Sequence, residues 1–227
     1  MEIALSQEAE EYIEIIYKLQ KRNGTAKTKD LSESLHVVPG SITNTIEHLE
    51  SHDLVRHEPY RGVKLTKEGE RLALTIIRRH RLAERFLTDI LKADWSTVHA
   101  DACKLEHAMS KNVTDLLEEK LEHPKFCPHG NPIPTDAGLI EDLPTVALTE
   151  ANSNESYLVD RIVNEENVNL EMLYNKGIKP QASIQVLKRN EKNITVCVNG
   201  KRQELSRGTA DCVLLRKNGR VDYAVKA

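Results

Sequence analysis

Between residues 96 and 110 the chain reads STVHADACKLEHAMS, which sets His99, Asp101, Cys103, Glu106 and His107 within nine positions. Imidazole, thiolate and carboxylate are the side chains that hold transition-metal ions, provided that several converge on one point. At about 100° per residue on a helix, Glu106, His99, Cys103 and His107 share one sector roughly a quarter-turn wide, while Asp101 points away. An upstream stretch repeats the device: His80 and Glu84 are one turn apart and share a stripe with Ile76, Leu87 and Leu91. That places an imidazole and a carboxylate on the face meant for the core, where unpaired burial is costly. A divalent cation shared between the two helices would satisfy both groups. Taken singly, each residue has a plainer reading, a histidine as a hydrogen-bonded core or surface residue and a cysteine as a small hydrophobe. The set together points to metal.

The elements that must carry these residues follow from composition and periodicity. The 227 residues, 39% hydrophobic and 30% charged, are enough to bury a core and to form two or three compact modules. No apolar run approaches the roughly 20 residues needed to span a bilayer, and MEIALSQEAEEY lacks the basic and apolar parts of a signal peptide. A soluble, cytoplasmic chain is the expectation. Cys103, Cys127, Cys197 and Cys212 are scattered without a CxxC pair, which argues against a disulfide scaffold or a cysteine zinc knuckle. The net charge of −3 gives no overall bias toward nucleic acid or membrane, so such binding must come from local patches.

SQEAEEYIEIIYKLQKR places Ser6 as an N-cap before Tyr12, Ile13, Ile16 and Leu19 at helical spacing. TKDLSESL and SITNTIEHLES read as two short helices joined through HVVPG, and DLVRHEPYRGVKLTKEGE alternates like a hairpin around Arg61 and Gly62. Helix, turn, helix, hairpin is the order of a winged helix-turn-helix. From about Glu70 to Leu91 the pattern becomes one long helix, and STVHADACKLEHAMSKNVTDLLEEKL reads as another. HPKFCPHGNPIPTDAG, dense in proline and glycine, closes the helical half. Beyond it SIQVLKRN, ITVCVNGKR and DCVLLRK are β-branched runs, and Asn199-Gly200 is a hairpin signal. The expected architecture is mainly α: a winged helix-turn-helix over 1–73, a helical metal-binding region over 74–142, to which the resemblance given below adds dimerisation, and a linker with a small β-barrel over 143–227.

In SITNTIEHLES, Ile42, Ile46 and Leu49 pack inward while Ser41, Thr43, Asn44 and His48 occupy the other face. Short hydrogen-bonding groups let a helix sit deep in the major groove, where Asn pairs with adenine and Thr offers a hydroxyl and a methyl. Lys27, Lys29, Arg56, Arg61 and Lys64 flank that helix and are the candidate phosphate contacts. An ordinary three-helix core with a solvated polar face fits the same pattern; the hairpin and the local basic residues favour DNA.

RRHRLAERFLTDIL, VHADACKLEHAMS and GNPIP, in this order behind a winged helix, resemble the diphtheria toxin repressor family of iron-dependent transcriptional repressors. The likeness runs over residues 5 to 140 and continues more weakly through the C-terminal barrel, which resembles the SH3-like, FeoA-like module of the longer members. It implies a homodimer that binds palindromic double-stranded operator DNA when metal-loaded, with two metal positions per chain. The primary site would use Glu11, Cys103, Glu106 and His107. The ancillary site would use His80, Glu84 and His99 with two ligands from the barrel, which alignment of NEENVNLEMLYNKGIKPQASIQV puts at Glu166 and Asn169. Iron-type members carry a methionine where this chain has Glu11, whereas manganese-type members carry a carboxylate there and another in place of the cysteine. This chain is mixed. The Cys103 thiolate favours Fe(II), the carboxylates and imidazoles accept Mn(II) as well, and zinc, cobalt or nickel should bind in vitro.

Glu8, Glu10, Glu11 and Glu14 make the first helix acidic, so without metal that charge and an unpaired Glu106 should repel one another. A cation would neutralise the cluster and set the reading helices at the spacing of successive major grooves. Three other function classes have discriminators. A metal-dependent hydrolase lacks HExxH, a nucleophile elbow and a phosphate loop here; a regulator answering to an organic effector would ignore chelation; a peptide-binding adaptor would need more aromatic grip than this barrel has. Cys127 and His129 in CPHGNP could bind metal, but two ligands in one turn are few and a proline-stiffened loop is the reading preferred; Cys197 and Cys212 read as core, and Trp95 as a packing residue.

Overall fold

The computed structural model describes residues 5–58, 60–141 and 143–217. The described residues divide into two compact units, one of 5–79 with 134–139 and one of 80–133 with 140–217.

The first unit begins with α1 (Gln7–Asn23), which Ser6 caps by accepting from the Ala9 amide at 3.2 Å and which Gly24 ends in the left-handed conformation. Helix α2 (Thr28–Leu35) stops at His36, and α3 (Pro39–Ser51) starts with proline at a position where the missing amide costs nothing. Strands β1 (Val55–Glu58) and β2 (Gly62–Leu65) pair antiparallel as the hairpin, and Ala26 bridges Val63 on the outer side. Tyr12, Ile13, Ile16, Leu31, Ile42, Ile46, Leu49 and Leu54 form one core, which is the inward face that the helical periodicity selects. Thr66 caps α4 (Lys67–Arg85) by accepting from the Gly69 amide at 3.1 Å, and Gln20 ties α1 to Leu65 and Glu70.

In the second unit α4 continues as a single π-helical turn over Phe86–Ile90, where Thr88 Oγ1 donates to the Glu84 carbonyl at 2.9 Å. The single long helix expected over 96–121 is two: α5 (Val98–Glu106) and α6 (Lys111–Lys120). Ser110 makes the break, since its side chain accepts from the Val113 amide and so starts a new helix rather than continuing the old one.

The C-terminal part is an SH3-like sheet. Strands β3 (Val146–Ala147), β4 (Ser156–Ile162), β5 (Ser183–Arg189), β6 (Asn193–Val198), β7 (Lys201–Ser206) and β8 (Val213–Arg216) lie in the order β3-β8-β4-β5-β6-β7, every pair antiparallel. Helices α7 (Asn167–Asn175) and α8 (Arg207–Asp211) complete it. Asn199 and Gly200 form the β6–β7 turn with φ of 50° and 76°, as the dipeptide demands. Cys197 alternates with the buried Val196 and Val198 and is therefore only half-buried, and Cys212 is half-buried as well, so neither is the core residue expected. A shift of register between Val159 and Arg161 places Val159, Asp160, Arg161 and Ile162 all in buried positions, which hides β4 from an alternation search.

Candidate metal centre

Helix α4 carries His80 and Glu84, and α5 carries His99, Cys103 and Glu106 with His107 at its C-cap. Ala83, Leu87, Val98, Ala102 and Met109 pack the two helices together, so the polar residues interleaved with them meet in the same interior. His80 Nε2 lies 3.0 Å from Glu84 Oε1 and 3.0 Å from His99 Nδ1, and His99 Nδ1 lies 3.2 Å from the same Glu84 oxygen. Cys103 Sγ stands 3.7 Å from His99 Nε2 and 3.9 Å from His80 Nδ1. On its other side His80 Nδ1 meets Glu106 Oε2 at 2.5 Å, and Glu106 Oε1 lies 3.2 Å from His107 Nε2.

The loop read as a proline-stiffened connection adds to this cluster. Gly130 adopts φ of 89°, and a Cβ there would collide with the Asp160 carbonyl oxygen, so the turn needs glycine to approach β4 this closely. The Ile162 amide donates to the His129 carbonyl at 2.9 Å, and Asn131 Nδ2 donates to the Ile162 carbonyl at 2.8 Å. These bonds bring Cys127 and His129 against Glu165, just past β4. Asn131 Nδ2 also donates to Glu165 Oε1 at 2.7 Å, Cys127 Sγ lies 3.8 Å from that oxygen, and His129 Nδ1 lies 3.2 Å from Glu84 Oε1. Trp95 does more than pack: its indole donates to the Pro128 carbonyl at 2.7 Å, and its own carbonyl accepts from His129 Nε2 at 3.0 Å.

Three sets of ligand atoms, each within 4.8 Å of one another, result: His80, His99 and Cys103; His80, Glu84, His99 and Glu165; Glu84, Cys127, His129 and Glu165. Their electrostatics fit a cation. Burial opposes charge on His80, yet the Glu84 carboxylate lifts its pKa well above the ordinary value; His129 behaves alike, burial again being outweighed by Glu84. Burial likewise disfavours charge on His99, but Cys103, Glu84 and Glu165 raise it to about 9. Glu165, against burial and the repulsion of Glu84, is held at about 2 by His129 and His99. Burial and the nearby carboxylates push the Cys127 thiol up to about 11, whereas Cys103, resisted by burial, is lowered by His80 and His99. Raised imidazoles and lowered carboxylates thus offset one another in charge within the cluster. Glu84 Oε2 is buried and has no hydrogen-bond partner among the described residues, which leaves one acceptor of this carboxylate unused.

Of the expected ligands, His80, Glu84, His99, Cys103, Glu106 and His107 come together in the second unit. Glu166 and Asn169 stand outside the cluster. Glu166 is exposed as the N-cap of α7, Asn169 Nδ2 donates to the Asn164 carbonyl at 2.8 Å, and the neighbouring Glu165 points inward instead. The carboxylate that the backbone between β4 and α7 turns inward is Glu165, the residue before the α7 N-cap. Glu11 lies on α1 of the first unit, half-buried, with Gln7 donating to it at 3.2 Å. Its neighbours are less repulsive than their number suggests, since Glu10 pairs with Arg79 and Glu14 with Lys18, each at 2.8 Å; Glu106, expected unpaired, is bonded to His80. On α3, Ser41, Thr43, Asn44 and His48 are all exposed opposite the buried Ile42, Ile46 and Leu49, and Lys27, Lys29, Arg56, Arg61 and Lys64 are exposed on the same unit.

Comparison with known proteins agrees with this arrangement. Residues 4–63 match the family model of the iron dependent repressor N-terminal DNA binding domain, residues 66–135 that of the iron dependent repressor metal binding and dimerisation domain, and residues 146–217 the FeoA domain. The chain is 32% identical over 206 residues to the iron-dependent repressor IdeR of Mycobacterium bovis, covering 84% of this chain and 88% of that protein. It is 31% identical over 219 residues to the diphtheria toxin repressor of Corynebacterium efficiens, covering 92% and 94%. Among solved structures, a manganese-dependent transcriptional repressor in complex with manganese superposes with a TM-score of 0.84 at 31% identity, covering 91% and 98%. IdeR of T. acidophilum does so with 0.81 at 28% identity, covering 95% and 99%. No helix among the described residues is long and apolar enough to cross a membrane.

Proposed function

The chain belongs to the iron-dependent repressor family, that of the diphtheria toxin repressor, as a metal-dependent transcriptional repressor and not an enzyme, and from that premise we propose that it answers to Fe(II). The observation that carries the choice of metal is the donor set. Cys103 and Cys127 bring two sulfur donors to a buried cluster of imidazoles and carboxylates, and sulfur favours Fe(II) over the harder Mn(II). Mn(II) is the second reading, favoured by the carboxylates Glu84, Glu106 and Glu165 and by the likeness to manganese-dependent repressors.

Bound cation supplies positive charge and fixed bond directions to ligands that are otherwise balanced by protons. The chain's own groups are arranged for that exchange. With its Nδ1–H donating to Glu106, His80 keeps Nε2 toward Glu84 and His99; with its Nε2–H donating to the Trp95 carbonyl, His129 keeps Nδ1 toward Glu84 and Glu165. Cys103, Glu106 and His107 form the expected primary set with Glu11, whose part rests on the family resemblance.

The molecule acts as a homodimer on palindromic operator DNA in the cytoplasm. Supporting the dimer, the π-turn, α5 and α6 leave Leu91, Leu105, Val113 and Leu116 exposed, an apolar surface that a second copy would cover. Supporting DNA, the exposed Asn44, Thr43 and Ser41 lie on a helix whose other face is fully packed.

The test is an anaerobic pull-down of sheared genomic DNA with purified full-length protein in Fe(II), in Mn(II) and in chelator, followed by sequencing. Enrichment of a palindromic site with Fe(II), absent in chelator and weaker in Glu11→Ala, is the expected result. Stronger enrichment with Mn(II) would select the second reading, and enrichment in chelator would overturn metal dependence.

A further inference from the structure

We infer that Glu84 and Glu165 bridge two cations held together, one completed by His80 and His99 and the other by Cys127 and His129. The inference rests on the metal-responsive reading above and goes beyond it in number and arrangement.

Four observations carry it. First, the pair His80 and His99 and the pair Cys127 and His129 fall in different sets of mutually close ligand atoms, and both sets contain Glu84 and Glu165. Second, the two oxygens of Glu165 face different ways: Oε2 lies 3.8 Å from His99 Nδ1, and Oε1 lies 3.5 Å from His129 Nδ1 and 3.8 Å from Cys127 Sγ. Third, Glu84 offers Oε1 to three imidazoles, at 3.0 Å to His80, 3.2 Å to His99 and 3.2 Å to His129, while its buried Oε2 has no hydrogen-bond partner among the described residues. One carboxylate facing imidazoles from two sets is the chemistry of a bridge. Donors around a single ion with bonds of about 2.1 Å stand about 3 Å apart, which is the spacing found on the His80 and His99 side.

Fourth, the surrounding bonds hold the donors in this orientation. Asn131 anchors Glu165 Oε1 and leaves Oε2 to His99, and the Trp95 carbonyl takes the outer proton of His129 so that its Nδ1 faces inward. Charge also agrees. Two carboxylates and the Cys127 sulfur, which gives up its proton on binding a metal, carry three negative charges, more than one divalent cation balances.

The experiment uses the full-length chain loaded anaerobically with Mn(II) as a paramagnetic probe, freed of excess by dialysis, with bound metal counted and low-temperature electron paramagnetic resonance recorded. Wild type should show a spin-coupled Mn(II) pair beside an uncoupled ion. Cys127→Ala and His99→Ala should each abolish the coupled signal, because each dismantles one half, and Glu165→Gln should lower the count by two ions per chain. Thermal unfolding of each variant in chelator separates loss of a ligand from loss of the fold. If Mn(II) is retained but wholly uncoupled, and Glu165→Gln lowers the count by no more than one, the bridged pair is overturned while the repressor reading stands. If no Mn(II) is retained, the metal-responsive reading itself falls.

Discussion

His80 Nδ1 and Glu106 Oε2 lie 2.5 Å apart in a fully buried contact, and through it one imidazole touches both groups of candidate ligands. Its Nε2 belongs with Glu84 and His99, while Glu106 belongs with His107. The two groups of ligands thus share one ring, and a cation held at Nε2 would fix the remaining proton on Nδ1, toward Glu106.

That contact has a measurable cost when broken. His80→Ala takes one imidazole partner from each of two buried carboxylates, Glu84 and Glu106, and removing one partner of a buried pair costs about 3 kcal/mol. Urea unfolding in chelator should show a loss of that size, and the double variant with Glu106→Leu should recover part of it. Equal stability of His80→Ala and wild type would contradict the pairing.

The protons on the cluster give a definite pH dependence. The His99 value is raised, against burial, to about 9 from 6.5, so its contribution is full below 6.5 and is lost as pH rises through about 9. Glu165 is depressed to about 2 from 4.5, so its contribution is present above 4.5 and is lost as pH falls through about 2. In chelator the thermal midpoint should thus fall between pH 6.5 and 9. Saturating cation should flatten that slope, since the cation replaces the proton; a midpoint independent of pH in chelator would refute the assignment.

Packing at the start of α4 is equally specific. A Cβ on Gly69 would collide with the Leu54 carbonyl oxygen, which already accepts from the Thr66 amide at 3.0 Å. Gly69→Ala should destabilise the winged unit by about 2 kcal/mol through overpacking, despite alanine's better helix propensity. Calorimetry showing a rise in midpoint would go against this account.

On the DNA side the two kinds of contact should separate. Asn44→Ala should lose about 1–3 kcal/mol of discrimination at one base position, whereas Lys64→Ala should weaken all sequences alike and reduce the salt slope by about 1. Titrations against operator and mutated operator at several salt concentrations measure both. A Lys64→Ala variant with altered base preference would show that this lysine reads sequence.

Much of this was legible in the chain order of residues. Ser6, Tyr12, Ile13 and Ile16 determine α1 because a cap and a 3.6-residue apolar repeat act locally, and Ile42, Ile46 and Leu49 determine which face of α3 stays free. His80 with Glu84, and His99 with Cys103, are one turn apart, so helix geometry alone puts them on shared faces. Only tertiary structure decided that Cys127, His129 and Glu165 join them. Cys127 and Glu165 are 38 positions apart, on a loop and past a bulged strand, and they are brought together by the Gly130 approach and the Asn131 and Ile162 hydrogen bonds, which have no sequence period. The same reason places Glu165 inside and Glu166 outside: both lie in the connection between β4 and α7, and nothing local distinguishes the two carboxylates until the backbone is folded.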